Sequence, residues 1–332
     1  MKALVTGATG FIGRHLCAAL RAAGDEVTAL VRSTSRRDAL EPLGVTFAVG
    51  DVNQPASLAS AADGADVVFH LAAMLGAPWH PDFLRTNADG VRHVAEACAS
   101  LPRPPRLVVT SSAAASGPSP APGVARVEDD RPTPVSRYGE SKLAGEQAAR
   151  DLAGRLPITI VRPPVVFGGG DRAMLPLFQM AARGLAVTPT RDQVSLVHVE
   201  DLVALLRAAA AGETLATDGP PGRGVYFGGF DEAPTWPALA RRVAAAVGRS
   251  RTLTLTPPRW MLAAGGAAAE RWARWRGTDF ELLSGDKARE GLAGDWIVSP
   301  AKAGAQLGWR PAASLDARLA DTARAYRADG LL

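Results

Sequence analysis

A chain of 332 residues, 47% apolar and 21% charged, is long enough to bury a sizeable core in one large domain or two closely joined ones, which excludes a fibre or a disordered tail. Its net charge of +4 comes from scattered arginines rather than a cationic block, which argues against nucleic-acid binding. Cys17 and Cys98 are the only cysteines, too few for a disulfide framework or a zinc site, so no metal is expected and a reducing, cytoplasmic compartment is.

The first apolar run, KALVT, is broken by Thr and Gly too soon for a secretion signal and reads as a strand. It enters TGATGFIG, with Gly7, Gly10 and Gly13, and then an amphipathic helix over 11–23. In such a turn the first glycine permits the tight bend, the second lets a pyrophosphate approach the backbone, and the third lets helix pack on strand. The second strand, EVTALV, runs into Arg32-Ser33-Thr34-Ser35-Arg36-Arg37, where a chain that binds NAD usually places an acid for the ribose hydroxyls. Without that acid, Arg32 can clamp a 2′-phosphate, or the loop is simply solvated; the first reading predicts NADP(H) as the preferred cofactor, with NAD(H) possible. Asp51 follows the third strand in GDV and is placed either to meet the adenine amino group or to serve as a turn residue.

Further strands are DVVFHLA, RLVVTSS and ITIVRPP, separated by helical runs such as 82–99. Strands this uniformly apolar are buried on both faces of a parallel sheet. Together they predict an α/β, Rossmann-type doubly wound parallel sheet with a smaller C-terminal substrate-binding subdomain. The cofactor domain is expected over 1–165, with a return segment near 195–215, and 166–332 forms most of the interleaved subdomain. The stretch 113–123 reads as a surface loop. Six of the seven tryptophans lie beyond residue 230, so this part is expected to bury much aromatic surface. The lipid-like stretch 260–269 is about half the roughly 20 residues a membrane span needs, so none is expected.

In SRYGESK, Tyr138 and Lys142 stand four residues apart and share one face of a helix. A phenol with a reference pKa of about 10 is a poor base, and a nearby ammonium favours its ionised form. The lysine can also hold the nicotinamide ribose. Upstream, the fifth strand ends in Ser111-Ser112, where a hydroxyl can bind the substrate oxygen as its charge changes.

The glycine turn, Ser112, Tyr138 and Lys142, in that order, resemble the extended short-chain dehydrogenase/reductase superfamily, specifically its NAD-dependent epimerase/dehydratase family. Further matching stretches are HLAA at 70–73, TNADG around Asn87, RPPVVFGGGD at 162–171, LVHVEDLV at 196–203 and LGWRP at 307–311. The resemblance implies Tyr138 as acid/base, Lys142 on the nicotinamide ribose and Ser112, rather than Ser111, orienting the substrate. It implies a cofactor site made of Gly7, Thr9, Gly10, Phe11, Ile12 and Gly13, of Arg32, Asp51 and Val52, of Leu71, Ala72 and Ala73, and of Asn87, Pro164 and Val165, with Tyr138 and Lys142. Asn87 is mainly architectural there. Ser116-Gly117 and Phe167-Gly168 depart from the aromatic-Gly and Tyr-Gly pairs of many sugar-nucleotide members.

His198 is read as structural. Trp79 and His80 line either a substrate entrance or a plain loop, and Trp272 and Trp275 are packing residues. Leu253, Leu255, Pro257, Pro258, Trp260, Met261 and Leu262 are expected to line an apolar pocket, while Arg259, Arg271, Arg274 and Arg276 could reach a phosphate. The expected partner is a small, apolar molecule carrying a hydroxy or keto carbon, as for the 3β-hydroxysteroid dehydrogenase and dihydroflavonol reductase branch. A sugar-nucleotide epimerase or dehydratase is the alternative within the family, and a non-catalytic NADP(H) sensor the alternative outside enzymology. Homodimers are usual in the resembled family.

Overall fold

The computed structural model describes residues 1–76, 80–276 and 285–332. The six strands read from the sequence are β1 (Lys2–Thr6), β2 (Glu26–Val31), β3 (Thr46–Val49), β4 (Val67–His70), β5 (Arg106–Thr110) and β6 (Ile158–Arg162). Beyond them the chain makes β7 (Val165–Phe167), β8 (Leu185–Val187), β9 (Leu196–His198), β10 (Val225–Phe227) and β11 (Leu253–Leu255). β1 to β6 and β10 form one seven-stranded sheet in the order β10-β6-β5-β4-β1-β2-β3, every pairing parallel. The winding direction reverses between β1 and β4, and this opens a crevice at their C-terminal ends.

Alternation along each strand builds two cores. Ala3 and Val5 of β1 face Leu16 and Leu20 of helix Phe11–Ala22 and Leu202, Leu205 and Leu206 of helix Val199–Ala209. Leu4 faces the other way, toward Val94 and Cys98 of helix Gly90–Ala99 and Ala149 of helix Arg137–Arg150. Both sides of the sheet are therefore apolar, as the period-two pattern requires. The segment returning to the sheet runs past residue 215, because β10 pairs with β6.

A third core gathers Phe167, Phe178, Leu239, Leu319 and Tyr326 between helices Leu175–Ala182, Trp236–Ala246 and Leu315–Ala328. It is tied to the sheet region by Arg318, which donates to the Asp201 carboxylate at 3.0 and 2.6 Å.

Three sequence expectations are corrected. The stretch 113–123 is not wholly a surface loop: Ala113–Ser116 is a short buried helix, because its small side chains let the backbone come up against helix Arg137–Arg150, where a β-carbon at Gly139 would fall 2.4 Å from the Ala114 carbonyl oxygen. The expected crossover helix over 82–99 is interrupted by a wide π turn at Arg85–Asp89, of the kind found at functional positions. The late tryptophans are not uniformly buried. Trp309 is, its indole N–H donating to the Asp201 carbonyl, but Trp260 and Trp272 are 69% and 47% exposed. Trp79, and the side chains of His80, Arg274, Trp275 and Arg276, lie outside the described residues.

Candidate active site

The crevice is floored by the glycine turn. Gly7 sits at φ +68°, and a β-carbon there would lie 2.7 Å from the Ala72 backbone nitrogen, so only glycine lets the turn after β1 lie against the backbone that follows β4. A β-carbon at Gly13 would lie 2.2 Å from the Gly7 carbonyl oxygen, which leaves only glycine for the helix–strand contact. At Gly10 it would meet nothing but that same oxygen, at 3.2 Å. Thr9 and Gly10 are exposed, and helix Phe11–Ala22 has no side-chain cap. An open, uncapped helix N-terminus against bare backbone fits the pyrophosphate of a dinucleotide.

Around it lie the other sequence-chosen positions. Leu71 and Ala72 follow β4, where the Thr6 hydroxyl accepts from the Ala72 N–H at 3.2 Å and meets His70 Nδ1 at 2.8 Å. Burial, with Lys142 nearby, drives the His70 pKa down to about 3, so this ring is neutral. Asn87 bonds both backbone groups of Met74 and donates to Ser141 at 2.9 Å, fixing the loop after β4 to the helix of Tyr138. Arg32 is exposed just beyond β2, its N–H donating to Ser35 at 3.1 Å. Asp51 accepts from the Asn53 N–H at 2.9 Å, so its carboxylate shapes the turn after β3. Half-buried Val165 opens β7, and Pro164 precedes it.

Helix Arg137–Arg150 starts at Ser136, whose side chain caps the Gly139 N–H at 2.9 Å. Tyr138 is buried at 8% exposure within an apolar cluster of Phe83, Ala114, Met74 and Trp296. Ser112 stands near enough to its phenol to lower the phenol's proton affinity, its own hydroxyl accepting from the Ala114 N–H at 3.1 Å, while the Ser111 hydroxyl turns away and donates to Glu146 at 2.6 Å. One turn along, Lys142 is buried and donates to the Thr110 carbonyl at 2.8 Å; burial, opposed by Glu146, pulls its pKa down to about 8. Ser112, Tyr138 and Lys142 are thus brought to the C-terminal end of β5, beside the crevice.

Two groups of residues escaped the sequence reading. The first is Glu146, which continues the helix face one turn past Lys142 and takes a two-pronged ion pair from Arg162 at 2.8 and 2.6 Å. The spacing Tyr138, Lys142, Glu146 would have revealed it. The second lies on helix Gly285–Leu292. The Asp286 carboxylate accepts from the N–H groups of Arg137 and Tyr138 at 2.9 and 3.0 Å, Glu290 accepts from Ser136 at 2.6 Å, and Lys287 Nζ stands 5.0 Å from the Tyr138 ring centroid. Burial raises the phenol's pKa, Lys287 and then Ser112 oppose this, and Glu290 adds to it. Lys287 is therefore a cation beside the phenol that the sequence reading, which named only Lys142 for that part, did not find.

Other candidates fall elsewhere. His198 is buried, caps the Glu200 N–H and stacks edge-on against Phe167. Leu253, Leu255, Trp260 and Met261 are 62%, 47%, 69% and 48% exposed, so they do not line an enclosed pocket; their strand and helix turn these faces outward. Arg259 is held by Asp192 at 3.3 Å and by the Leu292 carbonyl. A cavity of about 520 Å³ shares Glu146 and Arg162 with the buried ion pair but includes none of Ser112, Tyr138 or Lys142.

A family model described as the NAD dependent epimerase/dehydratase family matches residues 3–217. The chain is similar to a ceramide reductase of Caulobacter vibrioides, 36% identical over 307 residues, 90% of this chain and 86% of the relative. It is also similar to a 4-hydroxy-2-methyl-3-oxo-4-farnesyl-3,4-dihydroquinoline-1-oxide ketoreductase of Stigmatella aurantiaca, 31% identical over 236 residues, 68% of this chain and 67% of that one. Among solved structures, MoeE5 in complex with UDP-glucose and NAD superimposes with a TM-score of 0.73 at 26% identity, over 99% of both chains.

Proposed function

The chain belongs to the NAD-dependent epimerase/dehydratase family, and from that footing we propose that it is an NADP(H)-preferring ketone reductase, or dehydrogenase of the matching alcohol, acting on an apolar molecule. That it is an NAD(P)-dependent oxidoreductase follows from the family and its relatives. The observation that carries the finer reading is the seating of the Tyr138 phenol, with Ser112 beside it, in the apolar cluster of Phe83, Met74 and Trp296. A carbonyl seated there would meet two hydroxyls in mainly hydrocarbon surroundings, with the Lys287 ammonium over the Tyr138 ring, and the names of the two reductase relatives point the same way.

The glycine turn would hold the pyrophosphate, Lys142 the nicotinamide ribose and Arg32 the 2′-phosphate; the bound dinucleotide supplies or takes up the hydride. The protein's own part is proton and charge management. Ser112 holds the substrate oxygen, and Tyr138 gives it a proton as the carbonyl becomes an alcohol. Burial raises the phenol's pKa, so the proton is present at neutral pH when reduction needs it. In the reverse direction the phenolate takes the proton back, and Lys287 favours that form.

The likeness to a UDP-glucose-bound structure supports a second reading, epimerisation or dehydration of a sugar nucleotide with retained cofactor. One assay separates the two. Desalted protein is given NADPH and either lipophilic ketones or sugar nucleotides, and the absorbance of reduced cofactor is followed. Consumption with a ketone is expected; cofactor that survives desalting, together with sugar-nucleotide interconversion and no ketone reduction, rejects the reductase. For the cofactor, Arg32→Asp is expected to weaken NADPH by about tenfold or more with little effect on NADH, and equal changes in both dissociation constants reject the clamp.

A further inference from the structure

β8 and β11 pair in parallel with Leu185 opposite Leu253 and Val187 opposite Leu255. Ala186 points inward and is fully buried, while those four aliphatic side chains are 38%, 62%, 40% and 47% exposed in the order just given. A solvated sheet face is ordinarily polar, and this one is aliphatic in register across both strands. The chain then passes Thr256-Pro257-Pro258 into helix Arg259–Arg276, whose first turn exposes Trp260 and Met261. From residue 249 to 276 there are six arginines and a single acid, Glu270, which is paired with Arg137 at 3.1 Å; beside the strip Arg249 and Arg251 are exposed, and Arg259 is shared with Asp192.

Exposed leucines with tryptophan and methionine, set among arginines, match the interfacial zone of an anionic bilayer: hydrocarbon below, indole at the headgroup level, guanidinium on the phosphates. A second copy of this chain fits worse, since a two-fold interface would set this cationic segment against itself. Among the described residues no helix is long and apolar enough to cross a membrane, so the contact is peripheral. The position also suits the chemistry. Arg137, the residue before Tyr138, pairs with Glu270 of this helix, and helix Gly285–Leu292, packed on Glu270 at Gly285, holds the Tyr138 backbone.

We propose that the β8–β11 strip together with Trp260 and Met261 is the face by which the enzyme docks on an anionic lipid bilayer. The purpose of docking, uptake of an apolar substrate from the membrane, rests on the function proposed above; the docking itself is tested without it. The full chain is sedimented with vesicles of phosphatidylcholine alone or of an equimolar mixture with phosphatidylglycerol. Binding to the mixed vesicles, weakened by salt and accompanied by a blue shift of tryptophan emission, is expected. The pair Leu253→Asp and Trp260→Ser is expected to lower it about tenfold or more, and Arg249→Gln with Arg251→Gln to lower the anionic preference. Protein that stays in the supernatant at low salt, or a Leu253/Trp260 variant that binds as well as the wild type, overturns the proposal. So does a wild-type dimer that this variant splits, which would make the face a self-interface. Reduction of a short, water-soluble ketone without vesicles reports the reductase reading alone, and the Leu253/Trp260 variant is expected to keep that rate.

Discussion

Two sets of side chains hold the helix of Tyr138 in place, one from the sheet and one from helix Gly285–Leu292, and they differ in burial. On the sheet side are Ser112 and His70 at strand ends and, on the helix itself, Lys142, held by the Thr110 carbonyl, and Glu146, paired with Arg162 of β6, mostly enclosed. From helix Gly285–Leu292 come Asp286, Lys287 and Glu290, where Lys287 and Glu290 are half-buried and paired to each other at 2.8 Å. Enclosed charges act at short range in a medium that screens poorly, whereas charges near solvent are damped. The sheet side should therefore carry the chemistry and the stability, and the helix side should adjust them.

The largest expected effect is on the sheet side. Tyr138→Phe keeps the ring in its apolar cluster but removes the proton, so the hydride-transfer rate should fall by about 10²–10⁴-fold with cofactor affinity nearly unchanged. Single-turnover kinetics beside a cofactor titration would show it, and wild-type turnover would remove the phenol from the mechanism. Next comes stability. Glu146→Gln leaves the Arg162 cation enclosed without its counter-charge and should cost about 3–5 kcal/mol in urea unfolding, whereas replacing both residues with methionine should cost far less. Equal losses in the two variants would mean that shape, not charge, matters there.

The same contrast explains what the sequence discloses. The six early strands, the glycine turn and the Tyr138–Lys142 pair are legible because each follows from a local period: two along a strand, about 3.6 along a helix, three between the glycines. Glu146 obeys that period too. Asp286, Lys287 and Glu290 do not, since they sit about 150 residues from Ser136 and Tyr138 and meet them only through the packing of a segment with no motif. The outward leucines and Trp260 are not legible for a related reason: composition shows that a stretch is apolar, but not which side of a short two-stranded sheet faces water.

A smaller effect tests the enclosed titrating groups. His70 is held down at about 3 against an ordinary 6.5, so between those values the unfolded chain binds a proton that the folded one refuses. Stability is then fully present above about pH 6.5 and falls as the pH drops toward 3, with this one group contributing at most about 1.4 kcal/mol per pH unit. Lys142, lowered to about 8, has the same sign in an alkaline window: from about 8 to 10.5 the unfolded chain binds more protons, and stability rises with pH. Urea midpoints for the wild type and His70→Asn across the acid window would isolate the first contribution, and parallel curves would deny it.

The smallest effect belongs to Lys287, and its sign is the sharpest test of the comparison. Its ammonium lowers the proton affinity of the phenol, and Glu290 raises it. Lys287→Gln removes the first influence and leaves Glu290, still bonded to Ser136, without its counter-charge, so both changes raise the phenol's pKa. The limb of the pH–rate profile for alcohol oxidation that reports the phenol should move to higher pH, with a several-fold loss at a fixed pH below it, while ketone reduction at neutral pH is spared. The other charges facing this end of the helix do not compensate: Asp286 is committed to two backbone N–H groups and to Arg289 at 2.7 Å, Lys142 to the Thr110 carbonyl, and His70 is neutral. Lys287→Arg should restore the profile, and adding Glu290→Gln to Lys287→Gln should bring the limb part of the way back. Because the pair is only half-buried, the displacement should shrink as salt is added; a limb that stays in place in Lys287→Gln would return the tuning of Tyr138 to the sheet side alone.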